Sequence, residues 1–256
     1  MTETHPEEAT TMHTRILRCT LATDDSHAYW RNVDLSVPLE QRIRLAFERR
    51  WFGLKSEARV DTLMRNMAER FDAFPEALAL LQRLPAIPAA LRPWICHLHT
   101  QLSDPLYRRF TGEYLPQRRA QGLRTLDRDT VARWVDSLEP GRWSVITCRK
   151  FGTNLVATAV EAGLLGKRRD PRELTDVNVP EQVLGYALYL LRTVRMERAL
   201  GDDPYLRSLR ADREMLPSLL QRVPGVTYQR LGRVEELDWQ YPSLTVWGVQ
   251  VLGGEA

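Results

Sequence analysis

The sequence predicts a mainly α-helical protein, with an N-terminal helical bundle followed by a winged helix-turn-helix-like C-terminal region with short β-hairpins. Three observations support this fold class. Apolar residues recur at helical spacing through the first half of the 256 residues, and no strand-like alternation interrupts them. A basic, turn-rich stretch follows a helical segment near residue 165. Alternating apolar and polar residues flank Gly232-Arg233, which is typical of a hairpin.

The N-terminal half divides into five helical segments, each with its own start signal. These segments begin, in order, at Ser36, Ser56, Pro75, Leu91 and Asp104. Gly53 ends the first of them, and Asp24-Asp25 lies in a predicted turn. Residues 1–14 are polar and aperiodic and are expected to form a disordered tail. Residues 15–125 then form the predicted helical domain.

Residues 126–256 form the predicted winged-helix-like domain. Asp127 caps a helix that ends at Pro140-Gly141, a short helix spans 144–151, and a third helix spans 153–164. In a winged helix the third helix enters the major groove of DNA, and the wing that follows it lies along a phosphate strand. The last segment, from Tyr241, fits a strand or a short helix.

The charge of the chain is concentrated in two segments, although the formal net charge is only +3. Residues 105–128 carry six basic and two acidic side chains, and residues 142–172 carry seven basic and two acidic ones. The basic residues are 33 arginines and three lysines. A local excess of this kind attracts phosphate backbones more strongly than the net charge indicates.

The candidate DNA-contacting residues follow from this charge distribution and the helix order. They comprise the start of the recognition helix, the wing and an arginine pair at the end of the helical half: Arg149, Lys150, Thr153, Asn154, Lys167, Arg168, Arg169, Arg172, Arg118 and Arg119. Beyond Asn154 the helix has few long polar side chains, so the pattern favours phosphate contacts over base reading. For Arg118 and Arg119 an exposed helix end without a DNA role is an equal alternative.

The sequence indicates no catalytic centre, no metal and no cofactor. Phosphate-binding glycine loops and a nucleophile elbow are absent. Cys96, His97 and His99 form the only group of metal-ligand types, but residues i and i+2 of a helix point about 200° apart, so the two histidines cannot share one ion. An enzyme that uses this group is the weakest alternative.

The cysteine count and the chain start favour a cytoplasmic protein. Cys19, Cys96 and Cys148 are odd in number and far apart, which is typical of reduced thiols rather than a disulfide framework. The first fourteen residues carry three acids and no lysine or arginine, which fits neither a secretory signal nor a mitochondrial presequence. No run approaches the ~20 apolar residues of a membrane helix, so no membrane partner is expected.

The order of short motifs resembles the BrxA family, small accessory proteins of the BREX bacteriophage-defence systems. The resemblance covers roughly residues 15–250 and leaves out the acidic tail. It is carried by Ala-Phe-Glu-Arg-Arg-Trp-Phe-Gly at 46–53, Arg-Val at 59–60, Arg-Phe at 70–71, Ser-Asp-Pro-Leu-Tyr-Arg-Arg-Phe at 103–110, Ala-Gly-Leu-Leu at 162–165, Leu-Tyr-Leu-Leu-Arg at 188–192 and Pro-Tyr-Leu at 204–206.

This resemblance implies a helical, winged-helix-bearing, DNA-binding protein that is not an enzyme. It would act in phage resistance beside a methyltransferase, a phosphatase-like protein and ATPases. The resemblance assigns no functional residue to this chain, so the candidate residues above rest on charge and helix order alone. A winged-helix transcriptional regulator and a protein–protein adaptor without DNA binding remain alternatives.

Overall fold

A computed structural model of the chain describes residues 6–84, 86–176, 178–194, 200–211, 214–231 and 234–253. These residues are mainly helical, which confirms the predicted mainly-α class. The helices are α1 (Thr23–Asn32), α2 (Leu39–Glu48), α3 (Glu57–Phe71), α4 (Pro75–Arg83), α5 (Arg92–Ser103), α6 (Pro105–Arg109), α7 (Leu115–Ala120), α8 (Arg128–Leu138), α9 (Val145–Glu161), α10 (Glu181–Arg192), α11 (Pro204–Ser208), α12 (Leu216–Leu220) and α13 (Leu244–Leu252). The strands are β1 (Thr125–Leu126), β2 (Arg172–Glu173), β3 (Val226–Leu231) and β4 (Val234–Trp239).

Capping side chains begin several helices at the predicted positions. The Ser56 hydroxyl accepts a hydrogen bond from the backbone N–H of Arg59 at 3.4 Å, at the start of α3. The Asp104 carboxylate accepts one from the N–H of Tyr107 at 2.9 Å, at the start of α6. Each bond satisfies a backbone donor that has no partner within its helix. A π-helical turn, Phe110–Tyr114, then joins α6 to α7.

Two details of the N-terminal half differ from the prediction. Asp24 and Asp25 lie in the first turn of α1 rather than in a turn, where their charges complement the helix dipole. Ser36 does not cap α2, because its hydroxyl donates to the Asp34 carboxylate at 2.6 Å and the helix begins three residues later. The same helix ends before Gly53, which lies in the left-handed region with φ of 74°.

The first sheet joins two short strands that are far apart in sequence. β1 and β2 pair antiparallel, with Leu126 opposite Arg172, although α8 and α9 lie between them in the chain. A further antiparallel bridge joins Leu165 to Leu174. Residues 166–171 therefore form a loop that returns the chain from the end of α9 to the edge of β1. We call these six residues the basic loop.

The second sheet is the hairpin of β3 and β4, which confirms the predicted pairing on either side of residues 232 and 233. Val226 lies opposite Trp239, and the register continues from there to the turn. Gly232 and Arg233 themselves lie outside the described residues. The final segment is the helix α13 rather than a strand.

Helices from both halves of the chain pack around one apolar core. His99 on α5 and the hydroxyl of Tyr186 on α10 share a hydrogen bond of 2.8 Å. A Cβ placed on Gly248 of α13 would lie 2.3 Å from a methyl group of Leu80 on α4, so the glycine permits that close contact. The domain boundary at residue 125 remains a prediction.

The N-terminal segment is hydrogen-bonded to the body of the protein at Glu8 and Ala9, whereas disorder was expected over residues 1–14. The backbone N–H of Ala9 donates to the carbonyl of Leu102 at 2.8 Å, and the buried guanidinium of Arg108 donates to the carbonyl of Ala9 at 2.7 Å. The hydroxyl of Tyr205 donates to Glu8 at 2.6 Å. Polar contacts hold Glu8 and Ala9, and Met12 packs against the apolar core. A single apolar residue makes no periodic pattern, so hydropathy does not reveal this segment. Residues 1–5 lie outside the described residues.

Candidate nucleic-acid interface

One continuous helix, α9, carries the residues that were assigned to the recognition helix. Ser144 caps it by accepting a hydrogen bond from the N–H of Thr147 at 3.2 Å. The predicted short helix over 144–151 and recognition helix over 153–164 were therefore wrong as separate elements. Gly152 does not break the helix. The glycine allows α9 to pack closely against α8, because a Cβ at this position would lie 2.4 Å from the carbonyl oxygen of Arg128 at the start of α8.

Substitution of Gly152 by alanine is therefore expected to destabilise the pair α8–α9. The added methyl group meets backbone rather than a flexible side chain, so the helices must move apart, at a cost of about 1–3 kcal/mol in the free energy of unfolding. Urea denaturation of the purified variant measures this. Thr153→Ala, on the exposed side of α9, is the control and should change stability by about 0.5 kcal/mol or less. Helix propensity alone predicts that Gly152→Ala raises the free energy of unfolding by about 1 kcal/mol. Such an increase would contradict the close contact.

The structure brings Arg149, Lys150, Thr153 and Asn154 together on one side of α9, which we call the α9 face. Arg149, Lys150 and Thr153 are exposed and Asn154 is half-buried, whereas Phe151 between them is fully buried. The spacing of i, i+1, i+4 and i+5 places the four on adjacent turns. In the free protein the Thr153 hydroxyl donates to the carbonyl of Arg149 at 3.1 Å and the Asn154 amide to that of Lys150 at 3.0 Å. The Thr153 hydroxyl must leave this bond to donate to a ligand, whereas the Asn154 amide keeps a second N–H donor and its oxygen.

Lys167, Arg168 and Arg169 are exposed on the basic loop. Among the described residues none of these three side chains has a hydrogen-bond or ion-pair partner. Arg172, the fourth predicted wing residue, has a different environment. Its guanidinium donates to the carbonyls of Gly166 at 3.1 Å and Arg168 at 2.7 Å, so it holds the loop from inside.

Asp170 connects the basic loop to its surroundings. Its carboxylate lies 3.2 Å from Nε of Arg172 and 2.6 Å from Nε of Arg128, which is the first residue of α8. The loop is thus fixed to both β2 and α8, and its free basic side chains start from a constrained backbone. Ordered cations lose less entropy when they bind a phosphate strand than cations on a flexible tail.

Arg118 and Arg119, the other predicted cluster, bind backbone carbonyls. Arg118 donates to the carbonyl of Thr125 at 2.7 Å and stacks on the ring of Tyr114. Arg119 donates to the carbonyl of Thr175 at 2.7 Å. Burial and the charge of the nearby Arg210 lower the pKa of Arg119 to about 10. The pair therefore fixes the end of α7 to β1 and to the chain that follows β2, and neither residue is part of the α9 face.

The C-terminal end of α9 is acidic and is bound to the start of α1. Glu161 accepts a hydrogen bond from the backbone N–H of Ala22 at 2.9 Å, which attaches this end to the start of α1. Lys167 lines an open groove there together with Glu161, Asp24 and Asp25. Three carboxylates near the last turn disfavour a phosphate, so the part of α9 available to an anionic ligand is its first three turns.

No family model matches the chain. No curated protein matches it either. Within the described segments, helices that are both long and apolar enough to cross a bilayer do not occur. The resemblance to the BrxA family therefore stays a prediction that rests on the motifs in the sequence.

Two apolar residues at the start of α9 are exposed, which the sequence reasoning missed. Val145 and Ile146 have relative exposures of 69% and 67%. A signal was present in the sequence, because the residues four positions after Val145 and Ile146 are Arg149 and Lys150, so the apolar character does not continue along that side of the helix. Between α8 and α9 an open groove of about 370 Å³ is lined by Val145 together with Asp129 and Asp136.

The group of Cys96, His97 and His99 lies in the core. All three are fully buried, and burial raises the pKa of the Cys96 thiol to about 12. Nδ1 of His97 shares a hydrogen bond of 2.8 Å with the hydroxyl of Tyr107, and burial lowers the pKa of His97 to about 3. Such a thiol is a weak nucleophile, because the thiolate is the reactive form. In the part of the chain that the structure describes, no three histidine, cysteine, aspartate or glutamate side chains are placed to hold a metal ion.

Proposed function

We propose that this protein binds duplex DNA, mainly through phosphates, with the α9 face and the basic loop. The observation that carries the proposal is the joint exposure of Arg149 and Lys150 on one helix and of Lys167, Arg168 and Arg169 on the loop that follows it. The three loop cations form no ion pair with a described carboxylate, and of the three only Lys167 lines the groove that Glu161, Asp24 and Asp25 share. Unpaired cations on two constrained elements that are consecutive in the chain fit a polyanion with regularly spaced charges.

The order of elements supports a winged-helix interpretation of this surface. Helix α7, strand β1, helices α8 and α9, the Leu165–Leu174 bridge, the basic loop and β2 follow one another as in a winged helix-turn-helix. On this interpretation α9 enters the major groove and the loop lies along the adjacent phosphate strand. Thr153 and Asn154 are then the residues closest to base edges, and their number is too small for strong sequence reading.

The proposed context is a BREX phage-defence system in the cytoplasm. The motif resemblance to the BrxA family supports it, and so does the lack of any recognised catalytic motif in the sequence. In this role the protein has no chemistry of its own and binds DNA beside a methyltransferase, a phosphatase-like protein and an ATPase. A methyltransferase gene and a large ATPase gene next to its own gene would support this assignment.

A salt titration tests the DNA-binding proposal directly. Fluorescence anisotropy with a labelled random duplex, repeated at increasing salt, gives the slope of log affinity against log salt. Five exposed cations that each neutralise one phosphate predict a slope of about −4 to −5, from roughly −0.9 per phosphate. Absence of binding at low salt would overturn the proposal. A strong preference for one sequence over random duplex would instead indicate a transcriptional regulator.

A protein–protein adaptor is the second candidate function. The exposed Val145 and Ile146 favour it, because adjacent β-branched side chains in water at the start of a helix are typical of a surface that a partner covers. An adaptor would use the same first turn of α9 without a phosphate strand. It is the function that remains if the salt titration detects no binding.

A further inference from the structure

A second basic site shares no residue with the α9 face. It is an open cavity of about 560 Å³ lined by residues of α7 and α11 and by residues close to these two helices in the chain. Four arginines line it: Arg119, Arg124, Arg207 and Arg210. Asp202 and Glu214 also line it. We call this space the arginine cavity. Its first and last lining residues, Pro116 and Glu214, are 98 positions apart in the sequence, so it exists only in the folded chain.

The positive charge in the arginine cavity is only partly balanced. Asp176 serves two of the arginines, because its carboxylate oxygen lies 2.6 Å from Nη1 of Arg210 and 3.7 Å from Nη1 of Arg124. No ion pair joins Arg119 or Arg207 to a carboxylate among the described residues. The Nε of Arg119 is also buried without a hydrogen-bond partner in that part of the chain. A buried donor without a partner carries a free-energy cost.

Arg210 occupies a backbone position that favours glycine. Its φ is 59°, in the left-handed region. The N–H of Ala211 donates to the carbonyl of Leu206 and that of Arg210 to Arg207, so Arg210 stands at the residue after the cap of α11 in a Schellman motif. An arginine there carries a steric cost that glycine does not. From this position the Arg210 guanidinium forms its ion pair with Asp176.

We propose that the arginine cavity binds a phosphate group carrying at least two negative charges. A guanidinium group binds two phosphate oxygens through parallel hydrogen bonds. Three or four guanidinium groups around one cavity therefore fit a diphosphate better than a carboxylate. The cavity is large enough for a diphosphate together with part of an attached molecule. Two sources share this chemistry, a free phosphate compound and the terminal phosphate of a nucleic-acid strand. The inference is independent of DNA binding by the α9 face.

Isothermal titration of the full chain with inorganic pyrophosphate tests the proposal. We expect one site whose affinity falls at least tenfold in Arg207→Ala and in Arg210→Gly. Arg210→Gly should fold normally, with a melting temperature within about 2 °C of the parent, because glycine suits the left-handed position. Arg44→Ala, an exposed arginine on α2, is the matched control and should bind like the parent. Absence of pyrophosphate binding, or equal binding by the two cavity variants and the parent, would overturn the proposal.

A second pair of measurements identifies the source of the phosphate. Short duplexes with a 5′-phosphate or a 5′-hydroxyl are compared on the parent and on Arg210→Gly. A gain in affinity from the 5′-phosphate that Arg210→Gly abolishes assigns the cavity to a nucleic-acid end. Pyrophosphate binding without that gain assigns it to a free phosphate compound. Loss of DNA binding by the α9 face would leave the pyrophosphate result unchanged, so the two proposals fail separately.

Discussion

Replacement of Lys167, Arg168 and Arg169 together by alanine is expected to weaken binding to duplex DNA about 10²–10³-fold at 0.1 M salt. Each phosphate that a cation neutralises contributes about 0.9 of a logarithmic unit of affinity for every tenfold dilution of salt. Between 1 M and 0.1 M salt, which is one tenfold dilution, three such contacts raise the logarithm of the affinity by about 2.7. The slope of log affinity against log salt should become less steep by the same amount, about 2.7.

Fluorescence anisotropy at several salt concentrations measures both quantities, and a charge-matched variant separates contact from net charge. Arg31, Arg44 and Arg49 are exposed arginines on or next to α1 and α2, far in sequence from the basic loop. Their triple alanine variant loses the same charge and should keep nearly all of the affinity. Equal losses in both triple variants would show a general charge effect. An unchanged slope in the loop variant would show that the basic loop does not contact DNA.

The loss in the loop variant should be about equal for all duplex sequences. Phosphate contacts carry no sequence information, whereas contacts with base edges do. The loop presents only long cations, and the candidate base-reading groups are on α9, at Thr153 and Asn154. A loop variant that lost affinity for one sequence alone would therefore place the loop in a groove rather than along the backbone.

Local chemistry made much of this fold predictable. Ser56, Asp104 and Asp127 each accept a backbone hydrogen bond within three residues, so their role depends on neighbours in sequence. Gly152 shows the limit of such reasoning. Its sequence context fits a helix break, but its role depends on the carbonyl of Arg128, which only the packing of α8 on α9 brings near.

The sequence predicted the exposure of the candidate site residues only in part. The charge count identified the segments, and the side chains at Lys167, Arg168 and Arg169 are exposed as a DNA-contact role requires. Arg119 and Arg172 differ from these three residues because their guanidinium groups donate to backbone carbonyls. Every residue has a backbone carbonyl, so the sequence does not indicate such a partner. The arginine cavity also escaped the sequence reasoning, since it combines α7 with residues around α11.

Acidification is expected to destabilise the protein strongly through two buried histidines. Burial lowers the pKa of His97 to about 3 and that of His99 to about 4, against an ordinary value near 6.5. His97 shares hydrogen bonds with the hydroxyls of Tyr107 at 2.8 Å and Ser208 at 2.9 Å. His99 shares one with the hydroxyl of Tyr186 at 2.8 Å. Both rings are therefore neutral in the folded protein over the whole range from pH 8 to pH 5.

The sign of the effect follows from proton binding. Below about pH 6.5 the unfolded chain binds a proton on each histidine and the folded chain does not, so the free energy of unfolding falls as the pH falls. Between pH 8 and pH 5 each histidine removes about 2 kcal/mol, and the two together about 4 kcal/mol. For a chain of this length the melting temperature should drop by roughly 10 °C. Thermal unfolding followed by circular dichroism at a series of pH values measures this.

The variant His97→Gln separates the histidine effect from other titrations. It should be less stable than the parent at pH 8, because glutamine does not reproduce the ring contacts with Tyr107 and Ser208. Its loss of stability from pH 8 to pH 5 should nevertheless be smaller by about 2 kcal/mol, since one titrating group is gone. Burial also raises the pKa of Asp104, but that group is present in both proteins and cancels from the difference. Equal pH dependence in the parent and His97→Gln would mean that His97 is charged in the folded core, where no described carboxylate pairs with it.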